Sequence, residues 1–141
     1  MEISKGFKID KPDIFVNWNI KENDLQNLFL DFNLKKVTTG YLTADCESLN
    51  GLVCKIGFHF ETGKDGILKE LEFFRTDYTD QKKSFNEFQK YFEISFGKPD
   101  RTSSGNEGFN NYEWNINGIQ IVHFVFDRFG PEEHMRIKKN S

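Results

Sequence analysis

The chain of 141 residues is 37% hydrophobic, 29% charged and 16% aromatic, a composition that supports one folded domain and argues against a disordered chain. Its 19 basic and 22 acidic side chains leave a formal net charge of −3, which argues against general binding to nucleic-acid phosphates. No apolar run approaches the roughly 18 residues that cross a bilayer, and the N-terminal sequence lacks a signal-peptide pattern. We therefore expect a cytoplasmic protein that binds neither nucleic acid nor membrane.

The first half of the chain predicts a strand, a helix and three more strands. Apolar residues alternate over residues 14–18, which is typical of a strand. Asn19 and Glu22 then form a variant of the capping box at the start of a helix. The apolar stripe of this helix comprises Leu25, Leu28, Phe29 and Phe32. Three strands are predicted after it, over residues 37–46, 54–60 and 67–74.

The second half repeats that order. Ser84 and Glu87 form a capping box, and Gly97 is placed to end the helix. Its apolar stripe comprises Phe85, Phe88 and Phe92. A polar loop is expected over 101–111, before the strong hairpin signal Asn117-Gly118. A two-residue loop there would pair Ile116 with Ile119, Trp114 with Ile121, and Tyr112 with His123. A short strand containing Met135 and Ile137 ends the unit.

This repeated order predicts an α+β fold in a single domain, residues 1–141. Two pseudo-duplicated αβββ units, about 14–76 and 79–139, would form one antiparallel sheet with two main helices on one face. The other face of the sheet would then be left to solvent or to a partner.

The two cysteines lie symmetrically about Asn50, beside the turn signal Asn50-Gly51. A hairpin loop of three or five residues would place Cys46 directly opposite Cys54, whereas a two-residue loop would send them to opposite faces. We expect a reduced pair, since the sequence predicts a cytosolic protein.

The sequence contains few residue patterns that indicate a catalytic, metal-binding or nucleotide-binding site. His123 and Asp127 share a strand face but would lie about 13 Å apart, which is too far for one metal ion. No Ser/His/Asp constellation or nucleotide-binding motif occurs. We therefore expect no catalytic residues, no metal and no cofactor. The alternative is a small-molecule-binding or enzymatic domain, with a pocket between helices and sheet that contains Tyr112 and His123.

Residues 92–99, Phe-Glu-Ile-Ser-Phe-Gly-Lys-Pro, are followed by the aromatic strand Tyr112-Glu113-Trp114. This order resembles the helix-plus-sheet units of the β-lactamase-inhibitor proteins and of small outer-membrane assembly lipoproteins, and residues 19–29 are similar to the helix opening of such a unit. Because the inhibitors are tandem duplications, the resemblance implies a duplicated fold that binds protein. The small, acidic, Phe- and Asn-rich chain also resembles the cytosolic immunity proteins of contact-dependent toxin systems.

These observations predict a non-catalytic protein-binding module, most concretely a bacterial immunity or inhibitor protein that neutralises a toxin enzyme. Residues 1–80 hold 14 of the 22 acidic side chains, which favours a basic partner. The candidate partner-binding residues are Tyr41, Asp45, Glu47, Asp127 and Arg128. We expect a protein partner, such as a toxin domain, and a monomer or weak homodimer in its absence.

Overall fold

The computed structural model describes residues 2–63, 66–75, 80–127 and 131–140. Within these ranges the chain forms two α-helices and ten strands. The helices are α1 (Glu22–Leu28) and α2 (Gln81–Phe96). The strands are β1 (Gly6–Lys11), β2 (Ile14–Asn17), β3 (Leu34–Thr38), β4 (Tyr41–Ser48), β5 (Leu52–Phe60), β6 (Leu68–Phe74), β7 (Arg101–Ser104), β8 (Asn110–Ile116), β9 (Ile119–Asp127) and β10 (Pro131–Lys139).

The described strands form one antiparallel sheet, which confirms a mixed α+β fold. Its order is β2-β1-β4-β5-β6-β10-β9-β8-β7, and β3 pairs with part of β4. Each helix is followed by a four-stranded meander, β3 to β6 after α1 and β7 to β10 after α2, and the two meanders join where β6 pairs with β10. The predicted units were therefore one strand short. In the first unit the predicted strand 37–46 is divided between β3 and β4, and in the second the polar segment 101–104 is a strand because it pairs with β8.

Both predicted capping boxes were wrong. Helix α2 begins one turn before Ser84, where the side chain of Asp80 accepts a hydrogen bond from Lys83 N at 3.1 Å. No side chain caps the start of α1, and Glu22 instead accepts a hydrogen bond from Gly40 N at 3.1 Å. The predicted end of α2 is confirmed: Gly97 adopts φ +80°, and its N–H donates to Glu93 O.

Helix α1 is shorter than its apolar stripe predicts. It ends at Leu28, and Phe32 N donates to Phe29 O in the turn that follows. Leu28 and Phe32 are consequently 43% and 50% exposed, whereas Leu25 and Phe29 are buried. The helix ends early because the chain must turn back to pair Leu34 with Ala44.

The hydrophobic core lies between the helices and one face of the sheet. Phe29, at the end of α1, contacts Phe58 with ring centroids 5.8 Å apart, and Phe92 of α2 contacts Phe73 at 5.5 Å. Phe73 also contacts Phe7 at 5.3 Å, although β1 and β6 are separated by two strands. Since neighbouring strands lie about 4.8 Å apart, this contact requires the sheet to curl around its core face.

The hairpin β8–β9 has the predicted register. Asn117 and Gly118 both adopt positive φ, so the loop has two residues. Ile116 pairs with Ile119, Trp114 with Ile121, and Tyr112 with His123, as predicted.

The hairpin β4–β5 has a three-residue loop, so Cys46 lies directly opposite Cys54. The side chain of Arg75 donates to Val53 O, so this carbonyl points toward β6. Because successive residues of a strand direct their backbone groups to opposite sides, the N–H and C=O of Cys54 point toward β4. The cysteines thus form a hydrogen-bonded pair, with an expected Cα separation of about 5.5 Å. Both are free thiols and 4% and 6% exposed, and burial raises the pKa of each to about 12.

We expect both thiols to be unreactive in the folded protein. A pKa of about 12 lowers the thiolate fraction at neutral pH by roughly 10³-fold relative to an ordinary thiol. Titration with a chromogenic thiol reagent at pH 7.5 should detect no fast-reacting thiol in native protein and two after denaturation in guanidinium chloride. Rapid reaction of either cysteine without denaturant would contradict this placement.

Candidate functional site

The sheet face that does not contact the helices carries the predicted partner-binding residues of β4. Along β4, buried side chains alternate with outward-facing ones. Tyr41, Asp45 and Glu47 all lie on this outward face, which we call the helix-free face. The Asp45 side chain is 77% exposed and Tyr41 is half-buried. The structure therefore places these three residues on one surface, with Tyr41 and Glu47 about 20 Å apart along the strand.

Tyr41 is held in place by stacking on the helix-free face. Its ring lies 4.4 Å from the His59 ring, centroid to centroid, with an interplanar angle of 16°. It also covers Gly57 so closely that a Cβ atom there would lie 2.9 Å from the ring of Tyr41. A glycine at position 57 therefore permits the tyrosine to lie flat against the sheet.

A set of ion pairs continues from this stack across β6 to β10. Arg136 donates from Nη1 to Glu70 Oε1 at 2.9 Å and from Nη2 to Glu72 Oε2 at 3.3 Å. The His59 side chain beside Glu72 lowers the pKa of that carboxyl, and Arg136 adds to the effect against the opposing effect of burial. Burial raises the pKa of Tyr41, as does the nearby Glu72. We call these five residues, Tyr41, His59, Glu70, Glu72 and Arg136, the Tyr41–Arg136 cluster.

Aromatic side chains extend the helix-free face onto β9. Phe124 stacks on His134 with ring centroids 4.9 Å apart, and Phe126 meets the same ring edge-on at 6.3 Å. Phe126 remains 44% exposed. A groove of about 430 Å³ lies beside these rings, lined by Val122, Phe124 and Phe126 together with polar residues of β7 and β8. The face therefore offers apolar anchors beside a charged cluster.

The predicted partner-binding residues beyond β4 are Asp127 and Arg128. Asp127 ends β9 and pairs with Pro131, and β9 is four strand spacings from β4, or about 19 Å. Arg128 lies outside the described residues. Sequence reasoning missed His59, Glu72 and Arg136. Once the register of β5, β6 and β10 is known, alternation along each strand places all three on this face.

The alternative site residues, Tyr112 and His123, lie on the opposite face under α2. His123 is fully buried: its Nδ1 lies 2.8 Å from Gln89 Oε1, its Nε2 lies 3.0 Å from Glu133 Oε1, and its ring stacks on Phe85 at 3.9 Å. Burial lowers the pKa of His123, and the hydrogen bond to Glu133 opposes that shift.

Tyr112 lines a cleft of about 270 Å³ between α2 and β8, but His123 does not. His123 therefore connects α2 to the sheet through its contacts with Gln89 and Phe85. A ligand-binding role for this pair remains a prediction.

Two further observations bear on the kind of site. Across the described ranges, no three His, Cys, Asp or Glu side chains are grouped so that they could hold a metal ion. Neither α1 nor α2, the helices in the described part of the chain, is long and apolar enough to cross a membrane.

Comparison with known proteins gives one structural likeness. No family model matches the chain, and no curated protein matches it. Among solved structures, it is similar to a DUF4309 family protein, YjgB, from Bacillus subtilis subsp. subtilis strain 168. The TM-score is 0.48 and the sequence identity 11%, over 85% of this chain and 78% of that chain.

Proposed function

We propose that this protein is a non-catalytic protein-binding module, most concretely a bacterial immunity or inhibitor protein that binds and neutralises a toxin enzyme in the cytoplasm. The observation that carries the proposal is the Tyr41–Arg136 cluster and its aromatic extension on the helix-free face. Tyrosine and arginine are enriched among the residues that dominate protein interfaces. The other face is covered by the helices, so a partner has this surface of the sheet to bind.

Two groups of the cluster, Glu72 and Tyr41, are better suited to binding than to proton transfer. Glu72 has a lowered pKa and stays ionised near neutral pH, whereas Tyr41 has a raised pKa and stays protonated. Neither group is tuned to the neutral pKa that a general acid or base needs. The side chains of the cluster are already held by stacking and ion pairs. They therefore lose little conformational entropy when a partner binds, which favours affinity.

The proposal includes a duplicated architecture. The two helix-plus-meander units, joined at β6 and β10, have the same element order, which supports a pseudo-duplication within one domain. Such a sheet presents a broad, continuous face, and the free protein would be a monomer or weak homodimer.

A matched pair of variants tests the helix-free face. Phe126 on this face and Ile94 on α2 are 44% and 57% exposed, so replacing either by Glu should leave the fold intact. Tagged protein is recovered from its native cells after mild cross-linking. We expect wild type and Ile94→Glu to recover the same stoichiometric partner, and Phe126→Glu to lose at least about tenfold of it, the effect of a typical interface anchor.

The recovered partner then tests inhibition. Expressed alone it should arrest growth, and co-expression with wild type or Ile94→Glu should restore growth while Phe126→Glu restores it poorly. Recovery of free monomer alone, or a partner that Phe126→Glu retains fully, would contradict the proposal.

A further inference from the structure

Strands β3 and β1 pair with different parts of the same edge of β4, and a cleft opens in the gap between them. Pairing with β3 ends at Ala44, and pairing with β1 involves Glu47 and Ser48, so neither strand pairs with Asp45. The cleft at this gap has a volume of about 270 Å³. It is lined by Pro12, Phe29, Asp31, Phe32, Asn33 and Asp45.

The cleft is acidic. Among the described residues, the exposed Asp31 side chain has no ion-pair or hydrogen-bond partner. Asp45 contacts Lys55 Nζ through Oδ1 at 2.9 Å, yet its side chain is 77% exposed. The segment that contributes Asp31, residues 22–33, contains no Lys, Arg or His. Of its carboxylates, Glu22 is paired with Lys36 Nζ at 3.4 Å, so the unshared charge beside the cleft is that of Asp31. A cationic group would therefore find unshared negative charge here.

The turn that contributes Phe29, Asp31 and Phe32 to the cleft also exposes apolar side chains. Leu28, Leu30 and Phe32 are 43%, 79% and 50% exposed within five residues. Leu30 N donates to Asn27 O at 3.3 Å and Phe32 N to Phe29 O at 2.9 Å, so the turn that presents them is held by backbone hydrogen bonds. Exposed apolar groups concentrated in this way are typical of protein-binding surfaces.

We propose that this cleft binds an arginine side chain on the surface of a basic partner protein. A guanidinium group pairs with a carboxylate and also stacks on an aromatic ring, and the cleft offers Asp31, Asp45 and the ring of Phe32 together. Leu28 and Leu30 then contact apolar groups around that arginine. The inference rests on the proposed function and specifies its partner as a basic protein.

The cleft can be tested without the partner. The probe is N-acetyl-L-arginine amide, titrated into isotopically labelled full-length protein and followed by NMR, with the uncharged N-acetyl-L-citrulline amide as the matched probe. We expect arginine-specific shifts at residues 29–33 and 44–46, with a dissociation constant on the order of 10 mM. Asp31→Asn should weaken binding about two- to fivefold, as expected for one exposed charge pair, while Glu61→Gln, an exposed carboxylate elsewhere, should not.

Three outcomes overturn the inference: equal shifts with the citrulline probe, shifts centred outside the cleft, or no loss of affinity in Asp31→Asn. If any occurs while Phe126→Glu still abolishes recovery of a partner, the proposed function stands and the arginine site falls. If the arginine probe binds as expected but no partner is recovered, the proposed function falls and the cleft remains an arginine-binding site.

Discussion

Phe92→Ala should lower the free energy of unfolding by about 3–5 kcal/mol, the range for removing a buried phenylalanine. Phe92 is fully buried at the centre of the core, with ring contacts to Phe73 at 5.5 Å, Phe96 at 5.6 Å and Trp114 at 6.0 Å. Its replacement removes ring contacts that α2 makes with both meanders, at Phe73 of β6 and Trp114 of β8. Since domains of this size are stable by about 5–15 kcal/mol, the variant should lose a large part of its stability.

Urea denaturation followed by circular dichroism measures this loss. The matched control is Phe32→Ala, because Phe32 is 50% exposed and should cost less than about 1 kcal/mol. Equal losses in the two variants would contradict the placement of α2 on the sheet.

His123→Ala should lower the free energy of unfolding by about 3 kcal/mol or more. The substitution removes a fully buried ring and leaves Glu133 Oε1, on a side chain that is 7% exposed, without its partner at 3.0 Å. Removing one member of a buried polar pair costs more free energy than the hydrogen bond itself contributes, because the remaining group is left buried without a partner or water. The double variant His123→Ala with Glu133→Gln should regain part of the loss, since its amide carries no charge.

The same histidine makes stability depend on pH. Burial lowers the pKa of His123 in the folded protein, so the unfolded chain binds the proton more readily. Its contribution to stability is therefore complete above the unfolded pKa of about 6.5 and is lost as the pH falls through the folded pKa. Urea unfolding of wild type should show stability decreasing from pH 7 to pH 5, and His123→Ala should show a smaller decrease. An unchanged slope in the variant would exclude this role.

The candidate site was only partly predictable. Alternation along β4 places Tyr41, Asp45 and Glu47 on one face, whatever the strand's neighbours are. The contact between Arg136 and Glu72 joins residues 64 positions apart and requires β6 to pair with β10. Nothing local specifies that pairing, so the cluster could not be derived before the strand order was known.

The sequence by itself determined the mixed α+β class, the Phe-lined helix ending at Gly97 and the register of the Asn117-Gly118 hairpin. Each depends on neighbours within a few residues, through helical spacing, backbone φ or turn length. Tertiary structure decided that 101–104 is a strand, that α1 ends at Leu28 and that β3 and β1 leave a gap at Asp45. These features arise from pairing between distant segments, whose hydrogen bonds override weak local preferences.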